Sequence, residues 1–278
     1  MGEITGIAWT DHTWNPWRGC DKVSPGCAHC YSEKITLRFD RGKFYNSANM
    51  EELEPFLDER ELRLLTNSGI WQGVRVAGSK VFVGDMTDVF GEWVPDEMLD
   101  RLFAAFAVRP DVTFQVLTKR ALRMQDYFAH YRTSMVNAIR VRDLPDGGML
   151  IAPLPNVWLG VSVENQAMAE ERIPHLLQTP AAVRFVSYEP ALGPVDFRPF
   201  LLNGIAAKGR KYPLSCDVIR CIDWIICGGE SGPGKRPFNP DWGRSVRDRC
   251  REAAVPFFMK QIDKVQPIPD DLLVREFP

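Results

Sequence analysis

Six short runs of apolar, strand-forming residues recur along this chain, each ending in a polar or charged tip, and they restrict the fold more than anything else in it. They are Lys80–Asp85, Phe114–Lys119, Val157–Glu164, Val183–Glu189, Trp224–Glu230 and Val255–Gln261. Near-continuous apolar strands that alternate with helices predict a parallel sheet buried on both faces. A further strand is expected near Ile7–Trp14, and an eighth is either missing or hidden in 131–156. Barrels of eight such units typically take about 250 residues, and this chain has 278. The expectation is one α/β domain over 1–278, a TIM-like (β/α) barrel, complete or partly open.

The intervening segments read as helices. Pro95, Asp96 and Glu97 open one, whose apolar face is Met98, Leu99, Leu102, Phe103 and Phe106. A second runs over about 166–177, where Pro174 is expected to kink or interrupt it. A third starts at Pro240 and spaces Trp242, Val246 and Cys250 four apart. Two regions break the rhythm: a charged, helix-prone insert at about 42–79, centred on Met50–Leu65, and an irregular connection at about 193–222. The latter carries Cys216 and Cys221 and reads as a lid, a substrate-binding element or disorder.

Barrel enzymes carry their reactive groups at the C-terminal tips of the strands. The candidates there are Asp85, Lys119, Ser162 with Glu164, Glu189, Cys227 and Lys260. Glu189 and Lys260 can serve as general acid and base or as two halves of salt bridges. Cys227, at such a tip, reads as a reactive thiol or as a small buried hydrophobe. The glycine-rich Gly228–Gly232 turn reads as a substrate- or phosphate-side loop, or as a plain tight turn.

Following the first expected strand, Cys20, Cys27 and Cys30 stand in one short loop, with six residues between the first pair and two between the second. Three thiolates suit a four-iron cluster whose remaining iron stays open. They also suit zinc if His12 or His29 supplies a fourth ligand, or a set of unconnected thiols. A second cluster from Cys216, Cys221 and Cys227 is a further reading. Seven cysteines, an odd number, and an N-terminus without the features of a signal peptide point to a reducing cytoplasm. No apolar run approaches the roughly 18 residues that span a bilayer. The formal charge of −2 gives no global pull towards nucleic acid. Local basic groups lie at Lys119, Arg120 and Arg123, at Lys208, Arg210 and Lys211, and at Lys235 and Arg236.

Several of these motifs together resemble the phage Gp37/Gp68 family. They are Trp14-Asn15-Pro16-Trp17 ahead of the cysteines, Gly84-Asp85-Met86-Thr87-Asp88, Leu117-Thr118-Lys119-Arg120, Gly160-Val161-Ser162-Val163-Glu164-Asn165, Glu189-Pro190, Gly228-Gly229-Glu230 and Met259-Lys260-Gln261. More distantly, the layout is similar to radical S-adenosylmethionine (SAM) enzymes of the spore photoproduct lyase branch, although the first cysteine spacer is longer than theirs. That resemblance implies a [4Fe-4S] cluster on Cys20, Cys27 and Cys30, with SAM on the open iron as source of a 5′-deoxyadenosyl radical. It implies His29 and Tyr31 near the adenine and Asp85 as acceptor for the methionine ammonium. Lys119 and Arg172 would meet the carboxylate, Ser162 and Glu164 the ribose or methionine end, and Cys227 would donate a hydrogen atom to the substrate radical. The expected partners are a reductant protein and a nucleic-acid or nucleotide substrate, whose base is modified or repaired; no membrane is expected. Two other classes stay open: a zinc-stabilised nucleic-acid-binding module, and a metal-dependent hydrolase acting on a phosphate ester through Asp85, Glu189 and Lys260.

Overall fold

The computed structural model describes residues 5–17, 19–39, 62, 70–71, 74–138, 153–201 and 221–278. Its strands are β1 (His12–Trp14), the short antiparallel pair β2 (Ile70–Trp71) and β3 (Val74–Arg75), then β4 (Lys80–Val83), β5 (Thr113–Thr118), β6 (Val157–Ser162), β7 (Val183–Tyr188), β8 (Trp224–Gly228) and β9 (Phe257–Gln261). The helices are α1 (Tyr31–Phe39), α2 (Asp96–Ala107), α3 (Ala121–Ala138), α4 (Gln166–Gln178), α5 (Arg198–Leu201) and α6 (Pro240–Ala253). All strands except β2 and β3 form one parallel sheet in the order β1-β4-β5-β6-β7-β8-β9, curled into a half-barrel. The six apolar runs and the N-terminal segment thus all become strands, and the barrel is the partly open one.

Alternation along the strands sends successive side chains to opposite faces. The outward set, including Val83, Phe114, Val116, Val161, Val186, Ile225 and Met259, packs against Leu99, Phe103, Phe106, Met124, Ile173, Leu176 and Val246 of the helices. Phe106 stacks on Phe114 with ring centroids 4.1 Å apart. The inward set is separate. Phe82, Phe185, Trp224, Ile226 and Phe258 close around Trp9, whose ring centroid lies 4.7 Å from that of Phe82 and 6.2 Å from that of Trp224. Gly160 permits this, because a Cβ there would lie 2.6 Å from the Phe185 ring. Each buried aromatic contributes roughly 1.5–3 kcal/mol, and together these side chains plug the N-terminal half of the half-barrel.

Among the described residues no eighth parallel strand closes the sheet. The C-terminal tail instead covers the free edge of β9. Met259 N donates to Val274 O at 2.8 Å and Glu276 N to Phe257 O at 3.0 Å. Covering an edge strand in this way removes a template for aggregation.

Pro174 does not interrupt its helix: α4 runs through it to Gln178. The buried face of Ala169, Ile173, Leu176 and Leu177, together with the Asn165 cap on Met168 N at 3.1 Å, holds the helix despite the lost backbone hydrogen bond. The expected Met50–Leu65 helix lies outside the described residues apart from Leu62, which is buried in the core. So does 202–220, with Lys208, Arg210, Lys211 and Cys216. Among the described residues no helix is long and apolar enough to cross a membrane.

Candidate active site

A cavity of about 470 Å³ opens at the C-terminal ends of the strands, within the size range of small-ligand and cofactor sites. The cysteine loop forms its roof. Cys20, Cys27 and Cys30 all line it, and so do His29, Tyr31, Asp85, Lys119, Ser162, Glu189 and Lys260. Three residues expected there are absent from its walls: Glu164, Arg172 and Cys227.

Several elements hold the roof in place. Gly19 forms a parallel bridge with Thr87, whose hydroxyl donates to Gly19 O, so the Gly84–Asp88 motif anchors the loop's start. Asn15 reaches the same motif, its Nδ2 donating to Asp85 Oδ1 at 2.6 Å while Met86 N donates to its Oδ1 at 2.9 Å. Ser32 Oγ donates to Met86 O at 2.7 Å. Tyr31, just past Cys30, donates its hydroxyl to the main-chain oxygen of Asp85, and that hydroxyl is 3.2 Å from Oδ2. Burial raises the Asp85 carboxyl, against the hydrogen bonds from Asn15 and Tyr31.

The middle of the loop rests on two acids. Ser24 Oγ donates to Glu164 Oε1 at 2.7 Å, and Glu164 pairs with Arg172 Nη1 at 3.2 Å. Both partners are almost completely buried. Glu164 and Arg172 therefore support the cysteine loop from below rather than facing the cavity. Ser162 and Glu164 were expected to point together along one strand; β6 ends at Ser162, and Glu164, two residues on, is buried beneath the cysteine loop instead of lining the cavity. The loop makes a 3-10 turn at Pro25–Cys27 directly over that carboxylate. A Cβ on Gly26 would lie 2.4 Å from Glu164 Oε1, so only glycine fits the crossing.

The second acid is Glu230, in the glycine-rich turn after β8. Its Oε2 lies 3.0 Å from His29 Nδ1, and it takes the Arg236 guanidinium and main-chain N–H. Arg236 Nη1 in turn donates to Pro25 O at 2.9 Å. Burial opposes ionisation of Glu230, but the Arg236 and His29 hydrogen bonds win and hold its carboxyl down at about 2. The turn lines the cavity through Gly229, Glu230 and Ser231 and also straps the cysteine loop.

Asp88 joins the tips of β4 and β5. It accepts from Thr118 Oγ1 at 2.6 Å, Lys119 N at 2.9 Å and Phe90 N at 3.1 Å, and lies 3.4 Å from Arg120 Nη1. Arg120 also pairs with Glu92, lies over the Trp93 ring and donates to Asp21 O at 3.4 Å. Arg123 pairs with Asp96 and Lys235 with Asp263. These basic residues are engaged in internal ion pairs. Lys119 does turn into the cavity, with Nζ 3.4 Å from Ser162 Oγ.

Cys227 faces the other way. Its neighbours Ile226 and Gly228 alternate to the inner face, and the thiol is fully buried in the core between sheet and helices. Burial, then Glu189 and Cys250, push it well up. The structure does not bring it to the cavity as a hydrogen-atom donor.

The three loop thiols are free, with Cys27 buried and Cys20 and Cys30 partly exposed. Burial and then the Asp88 charge push the Cys20 thiol up to about 12. Among the described residues no three His, Cys, Asp or Glu side chains stand close enough to hold a metal ion as a group. Ligands of one tetrahedral zinc lie only about 3.8 Å apart, given Zn–S bonds of about 2.3 Å. A four-iron cluster takes soft thiolate donors, and in donor type the three thiols that line the cavity match it.

Fold and site together define a class: an α/β half-barrel whose thiol-bearing loop roofs a cavity at the strand tips. The chain matches over residues 4–269 the family described as "Protein of unknown function (DUF5131)", and it belongs to that family. No curated protein and no solved structure matches it.

Proposed function

We propose that the protein is a cytoplasmic radical SAM-type iron–sulfur enzyme of the Gp37/Gp68 type that modifies or repairs a nucleic-acid base or nucleotide, drawing electrons from a reductant protein. One observation carries this reading: Cys20, Cys27 and Cys30 open onto the same strand-tip cavity as His29, Tyr31, Asp85, Lys119 and Ser162. The three thiolates would hold the cluster. When bound, a four-iron cluster with an open iron supplies the electron that cleaves SAM and so starts radical chemistry on the substrate.

The chain's own groups have distinct tasks. The Lys119 ammonium offers hydrogen bonds to a carboxylate, and Ser162 beside it offers a hydroxyl. Asp85, held by Asn15 and Tyr31, offers an acceptor to an ammonium. His29 and Tyr31 present flat rings at the roof. Trp9, Phe82 and Leu117 give the cavity an apolar floor, and the plug beneath closes the barrel's other end to water.

Incubating anaerobically purified protein with SAM and dithionite tests this. Release of 5′-deoxyadenosine by the wild type and its loss in Cys27→Ala is the expected outcome. No release from iron-replete wild type, or equal release from the variant, refutes the reading.

A further inference from the structure

Opposite the cysteine roof, Glu189 and Lys260 form an ion pair that no other part of the site explains. Lys260 Nζ lies 2.6 Å and 2.7 Å from the two carboxylate oxygens. The two residues come from β7's tip and from β9, with β8 between them. They meet over Gly228, which lies on the inner face and carries no side chain to block them; a Cβ there would already be 3.4 Å from the Glu189 carboxyl carbon. Both side chains line the cavity, about 15 % and 16 % exposed, above the apolar floor.

An ion pair in such a place gives little net stability, because removing two charges from water costs about what their attraction returns. Its hydrogen-bonding capacity is more informative. An ammonium has three donors and a carboxylate about four acceptor sites. Their mutual contact uses two of each, which leaves one donor beside open acceptor positions on the cavity wall. The pair carries no net charge, so it does not select an ion, and the carboxylate disfavours a phosphate. A flat ring with an adjacent donor and acceptor on one edge matches both the wall and the apolar floor.

We infer that Glu189 and Lys260 are the specificity-determining pair of the cavity, reading the cyclic amide or amidine edge of a nucleobase-like ring. Lys260 donates to the ring's acceptor and Glu189 accepts from its N–H. This assigns them to recognition rather than to acid–base chemistry, and it rests on the reading of the cavity as a substrate site.

The test is calorimetric titration of the full-length, anaerobically purified protein without SAM. The ligands are the four common nucleosides and their counterparts methylated on the ring edge. At least one parent nucleoside should bind, and its methylated counterpart should bind at least about tenfold more weakly, since a buried polar group is then left unpaired. Lys260→Met should lose the same preference. The methylated ligands probe the wild type, so the outcome stands even if that variant does not fold. Absence of binding by every parent at about 10 mM, or equal binding of parent and methylated forms, overturns the inference. Iron content measured on the same sample separates the two claims. Iron without nucleoside binding sinks this inference alone, and selective binding without iron sinks the cluster reading alone.

Discussion

Ser24, three residues before Cys27, donates its hydroxyl to Glu164 at 2.7 Å across 140 positions of sequence. That carboxylate is fully buried against Arg172. The loop that carries the thiols is thus keyed to the interior of the half-barrel and is not a surface appendage.

Breaking a buried ion pair on one side leaves an uncompensated charge and costs about 3–5 kcal/mol. Glu164→Gln should therefore lower the Tm by roughly 6–20 °C. It should also expose Cys27 to a thiol reagent faster than in the wild type. Calorimetry and labelling kinetics check both. An unchanged Tm with unchanged labelling contradicts the keyed-loop geometry.

Gly26→Ala puts a methyl where Glu164 Oε1 and Cγ already lie, at 2.4 Å and 2.7 Å from the new Cβ. Forcing one atom into a packed site costs about 1–3 kcal/mol. Gly6→Ala meets nothing within 4 Å and serves as the control. Denaturant titration should show a loss for the first and none for the second; two equal values contradict the crossing.

Glu230 gives the strap a pH dependence. Its folded-state pKa is depressed from 4.5 to about 2. Its contribution is therefore complete above the unfolded value and fades as pH falls through about 2. Glu230→Gln should be less stable than the wild type at neutral pH, and the gap should narrow between pH 4.5 and 2. A gap that stays constant over that window argues that the charge of Glu230 carries none of the strap.

Much of this arrangement was legible in the sequence. Strand runs that end in polar tips specify a parallel α/β sheet, because only buried strands tolerate apolar side chains on both faces. The same tips brought Asp85, Lys119, Ser162, Glu189 and Lys260 to one cavity with the three cysteines. The misses have physical causes. Cys227 was placed by its position at a strand tip, while parity decides its direction: inward-facing Trp224 and Ile226 force it outward. Glu164 is covered by the cysteine loop through Ser24 and Gly26, a long-range contact that strand alternation does not reveal. Ser24, Asp88 and Arg236 act through long-range pairs, which leave no periodic trace in a single sequence. The acid at Glu230 and the base at Arg236 were visible as residue types, but their joint grip on the cysteine loop arises only when β8 and the roof meet.

The central claim is that Cys20, Cys27 and Cys30 hold a four-iron cluster. Iron and acid-labile sulfide analysis after anaerobic purification and reconstitution addresses it most directly. About four irons and four sulfides per chain, falling sharply in Cys27→Ala, is the expected result. A colourless protein with one zinc per chain and no iron would contradict it.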